Sequence, residues 1–171
     1  NPNLIYPGTV LTIPSKQEQY GTTEVNGYVI PQLTGESEVV DAVGPYLTYV
    51  SPFSYTVNDD GSLNTIIDEQ ILDAGLANNV APLMVITNFR EGNFDPDLIH
   101  TILANDAIQG ELITNILDVM NNRGYYGLNV DFERIPPEDR ELYNQFLRNV
   151  TERLNAAGYV VSVAVVPKPY D

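Results

Sequence analysis

Two acidic residues near the middle of the chain, Asp131 and Glu133, are the side chains best placed to do chemistry. They lie in the segment Tyr125 to Ile135, YYGLNVDFERI, which has the pattern of a buried β-strand. Because side chains alternate along a strand, Asn129, Asp131 and Glu133 share one face, with the two acidic Cα atoms roughly 7 Å apart. Such a polar face costs free energy unless its groups are paired or used, for instance in proton transfer and stabilisation of positive charge. The alternatives are a hydrated edge strand and structural salt bridges.

The strand that carries these acids is predicted to be the fourth of five. Strands and helices alternate from about Glu24, and the strands are apolar on both faces, which is typical of a parallel sheet covered by helices. The predicted strands span residues 25–30, 47–57, 82–89, 125–135 and 159–167. The predicted helices span residues 36–46, 68–79 and 106–123, with two more that begin after Asp95 and near Pro136.

Two architectures fit this order of elements, a doubly wound α/β sheet and a (β/α)₈ TIM barrel. No G-x-G-x-x-G follows the first strand, which weakens a dinucleotide-binding fold. A (β/α)₈ barrel usually needs about 250 residues, so five strands in 171 residues would form only its first part. If the chain is a barrel, residues 20–171 are its N-terminal part and cover about its first five strands.

The composition narrows the kinds of partner. The chain has 23 acidic and 8 basic residues and a formal charge of −15, a field that repels nucleic acids and anionic membranes but not neutral sugars. Cysteine is absent and His100 is the single histidine, which we interpret as structural or solvated. No apolar run reaches the roughly 20 residues that span a bilayer, and the first residues lack signal-peptide features. We expect no metal, no cofactor, no nucleic-acid partner and no membrane insertion.

The first 19 residues differ in character from the rest of the chain. The segment NPNLIYPGTVLTIPSKQEQ is rich in proline, asparagine and other polar residues, and it contains one short predicted strand. It indicates the end of a preceding module followed by a linker, so that the chain divides at about residue 20.

The fourth strand resembles the signature strand of glycoside hydrolase family 18, the chitinase-like barrels. The family pattern is D-G-x-D-x-D-x-E, and the corresponding residues here, from Tyr126 to Glu133, are Y-G-L-N-V-D-F-E. Gly127 and the last two acids match, whereas Tyr126 and Asn129 replace the first two aspartates. The place of this strand in the chain, after a long helix and Gly124, agrees with the family.

A narrower resemblance is to the bacterial spore cortex-lytic enzymes and related spore germination proteins. It rests on the segment GLNVDFERIPPEDR and on the later Y-N-x-F-L-x-x-V. Residues 1–14 in turn resemble the closing strand of a LysM module, a type that binds N-acetylglucosamine-containing glycans and precedes the barrel in this subgroup. The resemblance implies that residues 1–19 are the C-terminal end of a LysM module plus a linker.

The resemblance to family 18 implies a retaining, substrate-assisted mechanism in which the N-acetyl oxygen of the sugar is the nucleophile. Glu133 is implied to be the general acid/base, with a pKa raised by burial and by the neighbouring carboxylate. Asp131 is implied to orient the N-acetyl group and to stabilise the oxazolinium-like intermediate. Asn129 replaces a supporting aspartate, and we expect it to hold Asp131 by hydrogen bonding without adding a charge.

Four further residues lie at or near the predicted C-terminal ends of the first three strands, the face on which barrel active sites form. An aromatic ring there can stack on a sugar and an amide can bind hydroxyl groups, while the alternative for each residue is ordinary core packing. The substrate-binding candidates are Tyr28, Phe53, Tyr55 and Asn88. The serine-glycine-glycine run that family 18 often has at strand three is replaced here by I-T-N-F, residues 86–89.

These features together predict a glycosidase that cleaves N-acetylglucosamine-containing glycan of spore-cortex peptidoglycan. Its expected location is the spore coat, the cortex or the cell wall, outside the cytoplasm. A lectin-like glycan-binding protein is one alternative, which the presence of both Asp131 and Glu133 disfavours. A chitinase acting on chitin oligosaccharides is another, because the loops that shape the pocket decide between the two substrates.

Overall fold

A computed structural model describes residues 23–31 and 34–165. The predicted LysM end and linker, residues 1–19, lie outside the described residues. The strands are β1 (Asn26–Val29), β2 (Tyr49–Pro52), β3 (Tyr55–Val57), β4 (Leu63–Asn64), β5 (Ala81–Thr87), β6 (Phe89–Arg90), β7 (Asn93–Phe94), β8 (Gly127–Asp131) and β9 (Val160–Val163). The helices are α1 (Glu36–Val43), α2 (Glu69–Ala77), α3 (Pro96–Leu103), α4 (Asp106–Arg123) and α5 (Arg140–Ala156), with 3₁₀ turns at Gly44–Tyr46 and Pro137–Asp139.

Five parallel strands lie side by side in the order β1-β2-β5-β8-β9, which is also their order along the chain. A doubly wound sheet reverses its strand order at a switch point, so the sequential order excludes that alternative. Strand β8 pairs with β5 from Leu83↔Gly127 to Thr87↔Asp131 and with β9 on its other side. The described residues therefore have the strand order of the first five strands of a (β/α) barrel, as predicted.

The second predicted strand is divided in the structure. Strands β2 and β3 both lie beside β5, the first at Ala81 and Pro82 and the second at Ile86 and Thr87. Strand β3 then folds back on β4 as an antiparallel pair. The prediction of one continuous strand over 47–57 is wrong at residues 53–54, where the chain leaves the ladder.

The helix predicted over 36–46 ends earlier, at Val43, and the chain continues as the 3₁₀ turn Gly44–Tyr46. Pro45 lacks the backbone N–H that an α-helix would use at this point. By contrast, α4 spans the predicted residues, with Asn105 as its N-cap and Gly124 in the left-handed region at its C-cap.

The main hydrophobic core lies between the sheet and helices α3, α4 and α5. Apolar residues at four-residue spacing along α5 form a stripe, of which Phe146, Val150 and Leu154 are fully buried and Leu142 is 37% exposed. The imidazole of His100, on α3, lies 2.9 Å from the buried carboxylate of Asp139, in the turn before α5. His100 therefore joins two elements, as its structural interpretation requires. Within the described ranges, no helix is both long and apolar enough to cross a membrane.

Tyr55, a predicted substrate-binding residue, lies inside this core. Its side chain is 1% exposed and its hydroxyl donates to the carboxylate of Asp68 at 2.6 Å. Asp68, itself fully buried, also accepts hydrogen bonds from Tyr125 and Arg123. The structure corrects the assignment of Tyr55 to substrate binding, because its hydroxyl is used to satisfy a buried carboxylate.

Candidate active site

Strand β8 separates its apolar and polar side chains as the alternation predicts. Leu128, Val130 and Phe132 belong to the core and are at most 4% exposed. Asn129 and Asp131 point to the other face of the sheet, where Asn129 reaches side chains of the first and fifth parallel strands. The polar residues of this strand are therefore directed away from the helices and towards the interior of the barrel.

The Asn129 amide is fully engaged by its neighbours. Its Oδ1 accepts a 2.6 Å hydrogen bond from the Tyr28 hydroxyl, and its Nδ2 donates to Ser162 Oγ at 2.8 Å. We expected Asn129 to hold Asp131, but in the described part of the chain its hydrogen bonds go to Tyr28 and Ser162. Asn129 thereby ties β8 to β1 and β9 without placing a second charge beside Asp131.

Asp131 is an acidic group in an environment that disfavours its charge. The residue is 5% exposed, and burial raises the pKa of its carboxyl to about 6, with a smaller contribution from the nearby negative charge of Glu133. A carboxyl group with a pKa near 6 changes its protonation state close to neutral pH, which suits acid–base chemistry.

Glu133 lies just beyond the end of β8, and its backbone is held by Asn88. The Glu133 N–H donates to Asn88 Oδ1 at 3.0 Å, and Asn88 Nδ2 donates to the Glu133 carbonyl oxygen at 2.9 Å. The same Nδ2 also donates to the carbonyl oxygen of Asp95 at 2.9 Å. Asn88 is fully buried, so the structure corrects its assignment to substrate binding: its amide orients the backbone of Glu133 instead.

Tyr28, on β1, lines the same cleft as both carboxylates and lies within their electrostatic field. Burial raises the pKa of its hydroxyl to about 12, and the negative charges of Asp131 and Glu133 add to this effect. The residue is 46% exposed, and its ring packs against Phe53 with centroids 5.4 Å apart. Of the four substrate-binding candidates, the structure brings Tyr28 and Phe53 together, with Tyr28 beside the acids.

These residues line an open cleft of about 350 Å³. Its walls are formed by Tyr28, Asp131, Phe132, Glu133, Arg134, Ala164 and Val165. A larger groove of about 590 Å³ runs beside α4, and of the predicted site residues it contains only the buried Tyr55. The cleft, and not the groove beside α4, is the candidate active site, because it combines the two carboxylates with open space.

Three residues around the cleft were missed by sequence reasoning. Ser162 is the one hydroxyl residue in the aliphatic run 160–166, a signal that was available. Arg134 directly follows Glu133 and lines the cleft. Tyr143 has a buried hydroxyl without a hydrogen-bond partner among the described residues, and burial together with the charge of Asp131 raises its pKa to about 12. Nothing in the local pattern around Tyr143 marks it as a neighbour of the acids.

The described residues hold no cluster of three or more histidine, cysteine or acidic side chains that could bind a metal ion.

Comparison with known proteins shows that most of this chain is similar to spore cortex-lytic enzymes and chitinases. No family model matches the chain. The cortical fragment-lytic enzyme of Bacillus anthracis is 43% identical over 128 residues, which cover 74% of this chain and 30% of that enzyme. The crystal structure of the Bacillus cereus spore cortex-lytic enzyme SleL matches with a TM-score of 0.79 and 40% identity, over 85% of this chain and 35% of that one.

A class V chitinase from Pseudomonas fluorescens shares the fold, with a TM-score of 0.76 and 19% identity over 85% of this chain and 46% of that one. The predicted chitinase-like barrel fold and the resemblance to spore cortex-lytic enzymes are confirmed by these matches. The chain spans between 30% and 45% of the length of the curated relatives it matches.

Proposed function

From this homology with spore cortex-lytic enzymes and the chitinase-like fold, we propose that the protein is a glycosidase that cleaves N-acetylglucosamine-containing glycan of the spore cortex. The observation that carries the proposal is the pair Asp131 and Glu133 at the C-terminal end of the fourth parallel strand, in an open cleft. This is the end of the sheet at which barrel enzymes place their catalytic residues.

The mechanism we propose is retaining and substrate-assisted. Glu133 protonates the glycosidic oxygen as it leaves, while the N-acetyl carbonyl oxygen of the same sugar attacks the anomeric carbon. Asp131 orients the N-acetyl group and stabilises the positively charged oxazolinium ring. Water then opens this ring and returns its proton to Glu133, so the sugar keeps its anomeric configuration.

Tyr28 and Asn129 support this assignment of roles. The Tyr28 hydroxyl donates to Asn129 and lies within the field of both carboxylates. Asn129 is neutral, so it adds no third negative charge next to Asp131 and Glu133, and the half-exposed Tyr28 ring lines the cleft where a sugar would bind.

The test is mass spectrometry of spore-cortex fragments treated with the full-length protein and with its Glu133→Gln variant. New N-acetylglucosamine reducing ends from the unmodified protein alone would support a hydrolase that uses Glu133 as its acid. If neither protein forms products while both retain glycan binding, the enzyme proposal fails and a lectin-like function takes its place.

A further inference from the structure

Arg134 occupies an unusual position at the edge of the cleft. It directly follows Glu133 and is the single basic residue among the described residues that line the cleft. Its backbone φ is +56°, in the left-handed region that long L side chains rarely adopt. Such a conformation is retained when the surrounding structure requires it, and it is found most often at functional sites.

The guanidinium of Arg134 has no protein partner in the described part of the chain. Arg90 pairs with Asp59 and Asp95, and Arg123 pairs with Asp68 and Glu69. No hydrogen bond or ion pair within residues 23–31 and 34–165 reaches Arg134. In a chain with 23 acidic residues and 8 basic ones, an arginine beside two carboxylates remains available for a ligand.

Electrostatics indicate what kind of ligand needs this cation. The protein carries a formal charge of −15, and the cleft itself contains Asp131 and Glu133. A neutral glycan approaches such a site without penalty, whereas a glycan that bears carboxylates is repelled. A guanidinium at the rim offsets that repulsion locally, and its planar fork binds a carboxylate through two parallel hydrogen bonds.

We propose that Arg134 binds a carboxylate of the substrate, so that the cleft prefers glycans whose sugars carry acidic groups over neutral chitin. In peptidoglycan this carboxylate belongs either to the lactyl group of N-acetylmuramic acid or to the peptide attached to it. The inference rests on the proposed function, because it names the substrate class of the same cleft.

The test compares three substrates of similar length: glycan with free lactyl carboxylates, glycan with intact peptides, and a neutral N-acetylglucosamine oligomer. The full-length protein is compared with Arg134→Gln, Arg134→Lys and the control Arg140→Gln. Arg140 is a suitable control because it is exposed, lies outside the cleft lining and has no ion pair within the described residues.

Arg134→Gln is expected to lower the ratio of kcat/KM on an acidic glycan to kcat/KM on the neutral oligomer by about 10- to 100-fold, the range for one charge-assisted hydrogen bond. Arg134→Lys should restore part of this preference, and Arg140→Gln should leave it unchanged. A loss confined to the lactyl substrate identifies the lactyl carboxylate as the partner, and a loss confined to the peptide-bearing substrate identifies the peptide. An unchanged ratio in Arg134→Gln would overturn the inference.

Failure of the proposed function would be seen separately. If the unmodified protein hydrolyses none of the three substrates, the glycosidase proposal fails. Binding of the same glycans by Glu133→Gln and by Glu133→Gln combined with Arg134→Gln still decides the inference. Weaker binding of the acidic glycans by the double variant supports it, and equal binding by the two variants contradicts it.

Discussion

Asp131, at the end of β8, shows how its neighbours set the protonation of a buried acid. Asn129, two residues earlier, is neutral and satisfied by Tyr28 and Ser162. Asp131 therefore has one acidic neighbour, Glu133, and carries the raised pKa of about 6 that follows from burial and from that charge. The consequence is a group that changes its protonation state close to physiological pH.

The raised pKa of Asp131 predicts a pH-dependent effect on stability. The folded protein keeps the proton of Asp131 up to about pH 6, whereas the unfolded chain releases it near pH 4. The contribution of this group is therefore fully present below about pH 4 and is lost as pH rises to about 6. As pH rises through this window, the Asp131→Asn variant should become more stable than the unmodified protein. The expected difference in the free energy of unfolding is about 1 kcal/mol at pH 7, after allowance for solvent screening. Thermal unfolding of the two proteins at pH 5 and pH 8 measures this difference. An equal stability difference at the two pH values would contradict the prediction.

Replacing Asn88 is predicted to lower activity, although Asn88 does not touch the substrate. Asn88→Ala removes the bonds to the backbone of Glu133 and leaves buried polar groups unsatisfied, at a cost of about 1–3 kcal/mol. Because a shift of about 1 Å in a catalytic group can cost 100-fold, kcat on cortex fragments should fall by up to about that factor.

The control is Asn105→Ala, which removes the N-cap of α4 at a cost of about 1 kcal/mol without touching the cleft. Activity is to be measured well below the melting temperature of both variants. If Asn105→Ala lowers kcat as much as Asn88→Ala does, the special role of Asn88 is refuted.

At the scale of elements, Gly127 allows β8 and β9 to approach closely. A Cβ at this position would lie 2.6 Å from the Val160 carbonyl oxygen and would overlap Val160 Cγ2. Gly127→Ala is therefore expected to be strongly destabilising, by about 2 kcal/mol or more, because backbone must move. Gly110→Ala, in α4 with open space around the new Cβ, should instead stabilise the protein by up to about 1 kcal/mol. Denaturant unfolding of both variants tests the contrast, and similar effects in the two would contradict it.

The buried carboxylate of Asp68 joins α2, β3 and the end of α4. Replacing Asp68 is predicted to cost more stability than replacing its exposed neighbour Glu69. Asp68→Ala leaves the hydroxyls of Tyr55 and Tyr125 and the guanidinium of Arg123 without their shared acceptor. The expected loss is about 3–5 kcal/mol, as for breaking a buried ion pair. Glu69→Ala removes the exposed partner of the same arginine and should cost less than about 1 kcal/mol. Comparable losses in both variants, measured by thermal unfolding, would show that burial is not the cause.

At the scale of the whole molecule, two of the five parallel strands in the described residues have one neighbour each. In residues 23–31 and 34–165, β1 pairs with β2 alone and β9 pairs with β8 alone. Large apolar side chains on or near these strands are exposed: Val25, Tyr28, Ile30, Val160 and Val165. Open edges with apolar side chains favour pairing with other chains.

A polypeptide limited to residues 23–165 is therefore expected to self-associate. The full-length protein, in which further strands can pair with β1 and β9, serves as the comparison. Size-exclusion chromatography with light scattering distinguishes the two, and a monomeric fragment with a sharp unfolding transition would contradict the expectation.

Much of this fold could be predicted from the sequence because the signals are local. The alternation in β8 and the apolar stripe of α5 depend on spacing within one element, and the alternation puts Asp131 and Glu133 on one face. The order of strands and helices indicates a parallel sheet covered by helices, whereas the pairing of the strands in sequential order decided between a doubly wound sheet and a barrel.

The tertiary structure alone decided which polar groups meet. Tyr28 and Asn129 are 101 positions apart and Asn88 and Glu133 are 45 positions apart, yet both pairs are hydrogen-bonded. Tyr55 is in the core, and Arg134, beside the acids, has no ion pair with any other described residue. The physical reason is that burial, pKa and hydrogen bonding are set by neighbours in space, whereas strand and helix periods are set by neighbours in sequence.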